Sequence, residues 1–94
     1  MLEIEDCGGG RFALAGRLDA SQVDRAKAVL GGASGTVVVD LARLDYISSA
    51  GLGLIIALDQ RLVAEGGSLR IASPNPLVRN VFRLSRLDQL IAVE

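Results

Sequence analysis

Two adjacent serines, Ser48 and Ser49, are the side chains of this sequence best placed to do chemistry. They follow a short polar connector and precede a long apolar run whose hydrophobic residues recur at helical spacing. A serine at such a helix start lies beside unpaired N–H groups, where it can receive a phosphate, hold an anion or meet a partner. The same hydroxyl can instead be an ordinary helix cap, which contributes about 1 kcal/mol. Spacing alone leaves both interpretations open.

The other candidate residues do not form a recognisable catalytic site. The chain has no histidine, which excludes a Ser-His-Asp triad and removes the commonest general base. The residues around Gly51 and Gly53 match neither a nucleophile elbow nor a phosphate-binding loop. Asp19 and Asp40 lie at ends of predicted elements, and Asp40 lies at the carboxyl end of the central strand, where α/β folds place their sites. Each can equally be a cap or form a loop hydrogen bond. Two carboxylates make a weak metal site, so we expect no enzyme activity, no metal and no cofactor.

The bulk composition predicts one domain over residues 1–94. The net charge of −1 argues against a general nucleic-acid binder, which needs a basic excess to meet phosphates. Cys7 is the single cysteine, so no internal disulfide can form. The longest uncharged apolar run, residues 50–58, is too short for a membrane span of about 20 residues. We therefore expect a cytoplasmic protein with no membrane span and no direct nucleic-acid partner.

The order of predicted elements is strand, strand, helix, strand, helix, strand, helix and a short apolar tail. Such an order predicts an α/β domain with a mixed sheet, in which a hairpin comes first and parallel crossovers follow. Residues 36–40, which are β-branched up to Val39, predict a central strand that is covered on both faces or nearly so. We interpret residues 41–47 as the connector to the helix that begins at Ser49.

This helix has one apolar face and one face of mostly small residues. The apolar positions are Gly51, Ile55, Leu58 and Leu62, and the opposite positions are Gly53, Ala57, Gln60 and Ala64. Gly53 costs up to about 1 kcal/mol relative to alanine at such a site. A closely approaching partner, another helix of the same domain or a plain solvated face would each account for the small face.

Arg79, Arg83 and Arg86 recur at four- and three-residue steps in the last predicted helix. This spacing would place them on one helix face. Such a stripe is typical of a solvated face, although it could also dock an acidic partner.

The motif Tyr46-Ile47-Ser48-Ser49-Ala50-Gly51-Leu52-Gly53, preceded by Asp40-Leu41, resembles the STAS domain of anti-sigma factor antagonists. Residues 16–19, Gly-Arg-Leu-Asp, are similar to the family's Gly-x-Leu-Asp after its second strand. Residues 66–71 and 81–88 also resemble the corresponding segments of the family. The resemblance covers nearly the whole chain and implies a STAS-like fold, with a mixed four- to five-stranded sheet packed with about four helices.

The resemblance also implies a partner switch. An unphosphorylated antagonist of this family binds an anti-sigma factor that is also a serine protein kinase. The kinase uses ATP to phosphorylate a serine at the helix start, the complex dissociates, and a phosphatase resets the switch. Carried over to this sequence, the acceptor is Ser49, with Ser48 in reserve. Ala50 departs from the family pattern in which the residue before the glycine is the acceptor.

The implied partner surface extends beyond the acceptor serine. Its residues are Asp19, Tyr46, Ser48, Ser49, Ala50, Gly51, Leu52, Gly53 and Ala57. An alternative function for the same surface is constitutive docking. In that case the chain is an unphosphorylated STAS subunit of a lipid-transport ABC complex or of another regulatory assembly.

Overall fold

The computed structural model describes all 94 residues and contains a five-stranded mixed sheet. The strands are β1 (Leu2–Gly8), β2 (Arg11–Leu18), β3 (Thr36–Ile47), β4 (Ser68–Ala72) and β5 (Ala92–Val93). The helices are α1 (Val23–Leu30), α2 (Ser49–Ala64) and α3 (Pro76–Leu84), with 3₁₀ helices at Ala20–Gln22 and Leu87–Gln89. The predicted α/β class and mixed sheet are confirmed, with three α-helices in place of about four.

The strands lie in the order β1-β2-β3-β4-β5. β1 and β2 form an antiparallel hairpin, and every later pair is parallel. The hairpin turn places Gly8, Gly9 and Gly10 at positive φ, a conformation that glycine adopts without steric cost. Each parallel step passes through a helix, as a parallel connection requires.

One face of the sheet carries the hydrophobic core. Val37, Val39 and Leu41 of β3 are fully buried and belong to one cluster with residues from all three α-helices. Val38 and Asp40 alternate with them and are only half-buried on the opposite face. The prediction of a strand covered on both faces is therefore wrong. Val38 has the same β-branched side chain as its buried neighbours, which made the run look continuous.

β3 is also longer than predicted. It continues through residues 41–47 to Ile47, so the expected connector is part of the strand. Two register shifts against β2 interrupt the simple alternation of inward and outward residues in this half. Leu44 and Ile47 nevertheless face the core, with 0% and 5% of their surface exposed. Because the strand runs to Ile47, its carboxyl end lies directly before Ser48.

Arg61 of α2 ties this helix to the end of α1. Its Nη2 donates hydrogen bonds to the main-chain oxygens of Leu30, at 3.3 Å, and Ala33, at 2.9 Å. Its Nη1 also lies 3.1 Å from the Glu65 carboxylate, one turn further along α2. The guanidinium thereby satisfies carbonyl groups that the end of α1 leaves without helical partners.

None of the helices combines the length and apolar character that crossing a bilayer would require.

Candidate functional site

The candidate site lies where β2 and β3 end side by side. Leu18 of β2 pairs with Ile47 of β3, so the residues that follow each strand are neighbours. The Ser48 N–H donates to the Leu18 carbonyl at 3.0 Å and fixes the two chain segments against each other. The structure thus brings Asp19 and Ser48 to the same edge of the sheet, from positions 29 residues apart in the sequence.

The two serines at this edge have different structural roles. Ser48 is the N-cap of α2, and its Oγ accepts a hydrogen bond from the Gly51 N–H at 3.2 Å. Ser49 is the first residue of the helix, is exposed, and its hydroxyl forms no hydrogen bond within the chain. The capping interpretation therefore applies to Ser48. The Ser49 hydroxyl is free, beside the outward N–H groups of the first helical turn.

Gly51 and Gly53 also differ in their surroundings. A Cβ added at Gly51 would lie 2.8 Å from the Leu18 carbonyl oxygen and 2.9 Å from Ile47 Cγ1. A Cβ added at Gly53 would meet no atom within 4 Å. Gly51 is thus required by the packing of α2 on the sheet, whereas the packing of this chain does not require Gly53.

Asp19 holds the segment that enters α1. Its carboxylate accepts hydrogen bonds from the Ser21 hydroxyl at 2.6 Å and the Ser21 N–H at 3.1 Å, which caps the first 3₁₀ helix. These bonds, chiefly the one from the hydroxyl, and the charge of Arg17 hold the pKa of Asp19 below its ordinary value of 3.8. Asp19 is therefore ionised at neutral pH, beside the start of α2.

Tyr46 and Arg17 form a pair that the sequence did not suggest. The two residues are partners in the β2–β3 register, and the Arg17 guanidinium lies 4.4 Å from the Tyr46 ring centroid. Such a separation is typical of a cation–π contact. Tyr46 is 39% exposed, and Arg17 also lies 3.9 Å from the Asp19 carboxylate, so the guanidinium links the ring to Asp19. The pair depends on the register between two strands that are neighbours in the sheet but far apart in the sequence. No local sequence pattern predicts it.

The outward face of α2 is uncovered and uncharged. Gly53, Ala57, Gln60 and Ala64 are all exposed, which rules out cover by another helix of the domain and leaves a partner surface or a solvated face. Beside this small face, Leu52 and Ile56 are half-buried and Val63 is 59% exposed. Ala57 also lines a groove of about 190 Å³ between α1 and α2. We call Ser49, Gly53, Ala57, Gln60 and Ala64 the outer α2 face.

Several residues considered from the sequence lie away from this site. Asp40 lies in the middle of β3, where it forms a 2.9 Å salt bridge with Arg11 and accepts the Ala42 N–H. Its expected place at the carboxyl end of the strand is wrong, because β3 continues for seven more residues. Arg86 follows α3 in a left-handed conformation, so it does not extend the helical stripe. Cys7 is exposed within β1 instead of in a loop.

Comparison with known proteins gives a consistent set of similarities. Residues 8–92 match a protein-family model described as "Mlab, STAS domain". The chain is 41% identical over 66 residues to a putative anti-sigma factor antagonist, BtrV, of Bordetella bronchiseptica. It is 34% identical over 79 residues to the anti-sigma F factor antagonist of Lysinibacillus sphaericus. These matches cover 70% and 79% of this chain, and 51% and 68% of the two relatives.

Solved structures of an antagonist are similar over the whole chain. The anti-sigma factor antagonist SpoIIAA in its unphosphorylated form has a TM-score of 0.77 and 26% identity, with 100% of this chain and 88% of that chain covered. SpoIIAA of Bacillus in its phosphorylated form has a TM-score of 0.72 and 25% identity, with 100% and 91% covered.

Proposed function

Because this chain belongs to the STAS domain family, among relatives that are anti-sigma factor antagonists, we propose that it is an anti-sigma factor antagonist controlled by phosphorylation of Ser49. In this proposal the unphosphorylated chain binds an anti-sigma factor that is also a serine protein kinase. Transfer of a phosphoryl group from ATP to Ser49 releases the kinase, and a phosphatase restores the free hydroxyl. The exchange takes place in the cytoplasm.

The observation that carries this proposal is the division of roles between Ser48 and Ser49. Ser48 Oγ is occupied by the Gly51 N–H, while the Ser49 hydroxyl is exposed and has no partner. Phosphorylation of Ser48 would place a bulky group on a half-buried capping residue, whereas phosphorylation of the exposed Ser49 leaves the cap in place. A phosphate on Ser49 would also lie at a helix N-terminus, which favours negative charge. Ser49 can therefore change its charge without loss of the fold.

The outer α2 face supplies the docking surface in this proposal. It continues from Ser49 along the helix through small or uncharged residues, and it has no cover within the domain. Gly53 leaves open space above the helix backbone, so a partner atom can approach where a larger side chain would stand. The glycine lowers the stability of the isolated helix by up to about 1 kcal/mol. Close approach of a partner gives that destabilising residue a physical reason.

Release then follows from the charge that phosphorylation adds. A phosphoserine carries a charge of about −1.5 to −2 at neutral pH. In the complex this group would be removed from water and placed against partner atoms that had packed against a neutral hydroxyl. Weakening the complex 100- to 1,000-fold requires only about 2.7–4 kcal/mol, which one buried, unpaired charge can supply. The kinase provides the ATP site and the chemistry, and this chain provides the acceptor.

A second candidate function is constitutive docking as a subunit of a lipid-transport ABC complex. Ala50 favours it, because an acceptor located directly before Gly51 would be missing from this chain. The outer α2 face would then be a permanent interface, and the free hydroxyl of Ser49 would have no regulatory role. Co-purification with an ATPase subunit that is insensitive to Ser49→Asp would favour this function over the switch.

Incubation with the cognate kinase and ATP, followed by mass spectrometry, tests the proposed function. We expect one phosphate on Ser49 in the unmodified chain and none in Ser49→Ala. Ser48→Ala is the matched control, since it removes the neighbouring hydroxyl and should still be phosphorylated at Ser49. A phosphate on Ser48, or an unmodified chain beside a kinase that is active on another substrate, would contradict the proposal.

A further inference from the structure

α3 and the turn after it expose apolar side chains that the proposed switch does not use. Val78 and Phe82 face the core, whereas Leu77 and Leu84 are 62% and 73% exposed. Leu77 and Leu84 are seven residues apart and therefore lie on the same side of α3. Leu90, which follows the 3₁₀ helix Leu87–Gln89, is 72% exposed. These three leucines are the exposed large apolar side chains of residues 76–94.

The same segment is strongly cationic. Residues 76–87 contain Arg79, Arg83 and Arg86 and no aspartate or glutamate, and Asp88 is the one acidic residue between Arg86 and Leu90. Neither Arg83 nor Arg86 forms a salt bridge, and Arg83 donates only to the Asn80 side chain. Apolar and cationic groups are thus available together. We define the α3 surface as Leu77, Arg83, Leu84, Arg86 and Leu90.

The β1 edge of the sheet carries the opposite charge. β1 carries Glu3, Glu5 and Asp6 and no cationic side chain. β1 is the first strand in the sheet order, while β5, which follows α3, is the last. α3 itself packs mainly on the central strand β3, which β2 separates from the acidic strand β1. An anionic surface would attract the arginines of α3 and repel the carboxylates of β1, which favours an approach with α3 foremost.

We propose that the α3 surface docks reversibly on an anionic lipid membrane. The leucines enter the boundary between headgroups and acyl chains, and the two arginines contact lipid phosphates. Four grooves of about 190–490 Å³ are lined by other elements, and the three leucines are 62–73% exposed, so their side chains protrude. A deformable apolar layer accommodates protruding leucines, whereas a partner helix of acidic character would need a complementary groove. This docking goes beyond the switch at Ser49 and does not depend on it.

Sedimentation of the full chain with vesicles tests this proposal. The probe is a phosphatidylcholine vesicle with about one third phosphatidylglycerol, at low ionic strength, where electrostatic attraction is strong. We expect binding to these vesicles and none to pure phosphatidylcholine. Arg83→Glu with Arg86→Glu should abolish binding, since each arginine near an anionic surface contributes about fivefold to affinity. Leu77→Ser with Leu84→Ser should reduce binding at least tenfold.

Two controls separate the α3 surface from general effects of charge and apolar area. Arg43→Glu reverses another exposed arginine, and Val63→Ser removes another exposed apolar side chain, and neither should alter vesicle binding. Circular dichroism and thermal unfolding establish that each variant keeps its fold. Failure of the unmodified chain to bind anionic vesicles would overturn the proposal and leave an acidic protein partner for this surface. Equal binding by the leucine variant would also overturn it, because charge alone would then be sufficient.

Discussion

Gly51 and Gly53 lie two residues apart at the start of α2, yet they serve opposite sides of the helix. Gly51 faces the sheet, where an added Cβ would approach the Leu18 carbonyl to 2.8 Å. Gly53 faces outward, where an added Cβ would meet nothing. The inner glycine is explained by contacts within the domain, and the outer glycine is not. In the proposed function, the outer glycine is where the partner comes close.

The two serines divide in the same way. Ser48 is occupied by a capping hydrogen bond, and Ser49 is exposed with a free hydroxyl. The start of α2 thus has an inner side, Ser48 and Gly51, that serves the fold, and an outer side, Ser49 and Gly53, that the fold does not need. Inner-side changes should alter stability first, and outer-side changes should alter binding first.

The largest expected effect lies on the outer side. Phosphorylation of Ser49 should weaken binding to the kinase partner 100- to 1,000-fold, equivalent to about 2.7–4 kcal/mol. The free energy of unfolding should stay constant or rise by about 0.3–1 kcal/mol, because a helix N-terminus favours an anion. Isothermal titration calorimetry and urea denaturation measure the two quantities. A phosphorylated chain that unfolds more easily would show that Ser49 contributes to the fold, which contradicts its assignment to the outer side.

Gly51→Ala should have the largest effect on the inner side. The added methyl group meets the Leu18 carbonyl and Ile47, and such overpacking costs about 1–3 kcal/mol. The higher helix propensity of alanine offsets up to about 1 kcal/mol of this. We expect a net loss of about 1–2 kcal/mol in urea denaturation. Unchanged stability would mean that α2 can shift away from the sheet at this point.

Ser48→Ala should lower the free energy of unfolding by about 1 kcal/mol through loss of the cap. Ser49→Ala is its matched control and should change stability by less than about 0.5 kcal/mol, since its hydroxyl has no partner. Thermal unfolding of both variants measures the difference. Equal losses would show that the two hydroxyls share the capping role.

Gly53→Ala should affect stability and partner binding in opposite directions. The variant should gain about 0.5–1 kcal/mol of stability, as the methyl group enters open space on a helix. Binding to the kinase partner should weaken about tenfold, because the same methyl group keeps the partner away. Ala28→Gly, on the exposed side of α1, is a control for helix propensity at a distance from the outer α2 face. A more stable Gly53→Ala chain that binds normally would remove Gly53 from the interface.

The smallest effect concerns the pH dependence of Asp19. Its pKa in the folded chain is below the ordinary value of 3.8, so its ionised form stabilises the fold. That contribution is complete above about pH 4 to 5, and it is lost as the pH falls through the folded-state pKa. Asp19→Asn keeps a capping side chain without the charge. Denaturation of both chains at several pH values should give a stability difference that shrinks below pH 3.8.

Much of the element order could be read from local patterns, but the length of β3 could not. The alternation of apolar and polar residues stops after Leu41 because register shifts place Ala42 and Arg43 outward in succession. A bulge and a loop look alike in such a segment, since both interrupt the period of two. The wrong prediction for Asp40 has the same cause. A strand that ended at residue 40 would have placed this carboxylate at the carboxyl end of the strand, beside the site.

The location of the candidate site could be predicted from the sequence, but the separate roles of its two serines could not. The motif placed Ser48 and Ser49 at a helix start, and family resemblance favoured Ser49. The separation into a cap and a free hydroxyl depends on the backbone angles of one residue, Ser48, which is extended while Ser49 is helical. The contact between Arg17 and Tyr46 depends on strand register, which is a property of the assembled sheet.

The bonds made by Arg61 have a mechanical consequence. Since its guanidinium bonds to both Leu30 and Ala33, we expect a displacement of α2 to be passed on to the end of α1. A partner that engages α2 therefore restrains α1, although α1 carries none of the outer α2 face. A fluorophore attached at Ala28→Cys, in a chain with Cys7→Ser, would lie on the exposed side of α1. Its rotational freedom would report capture and release of the partner in real time, from a position outside the interface.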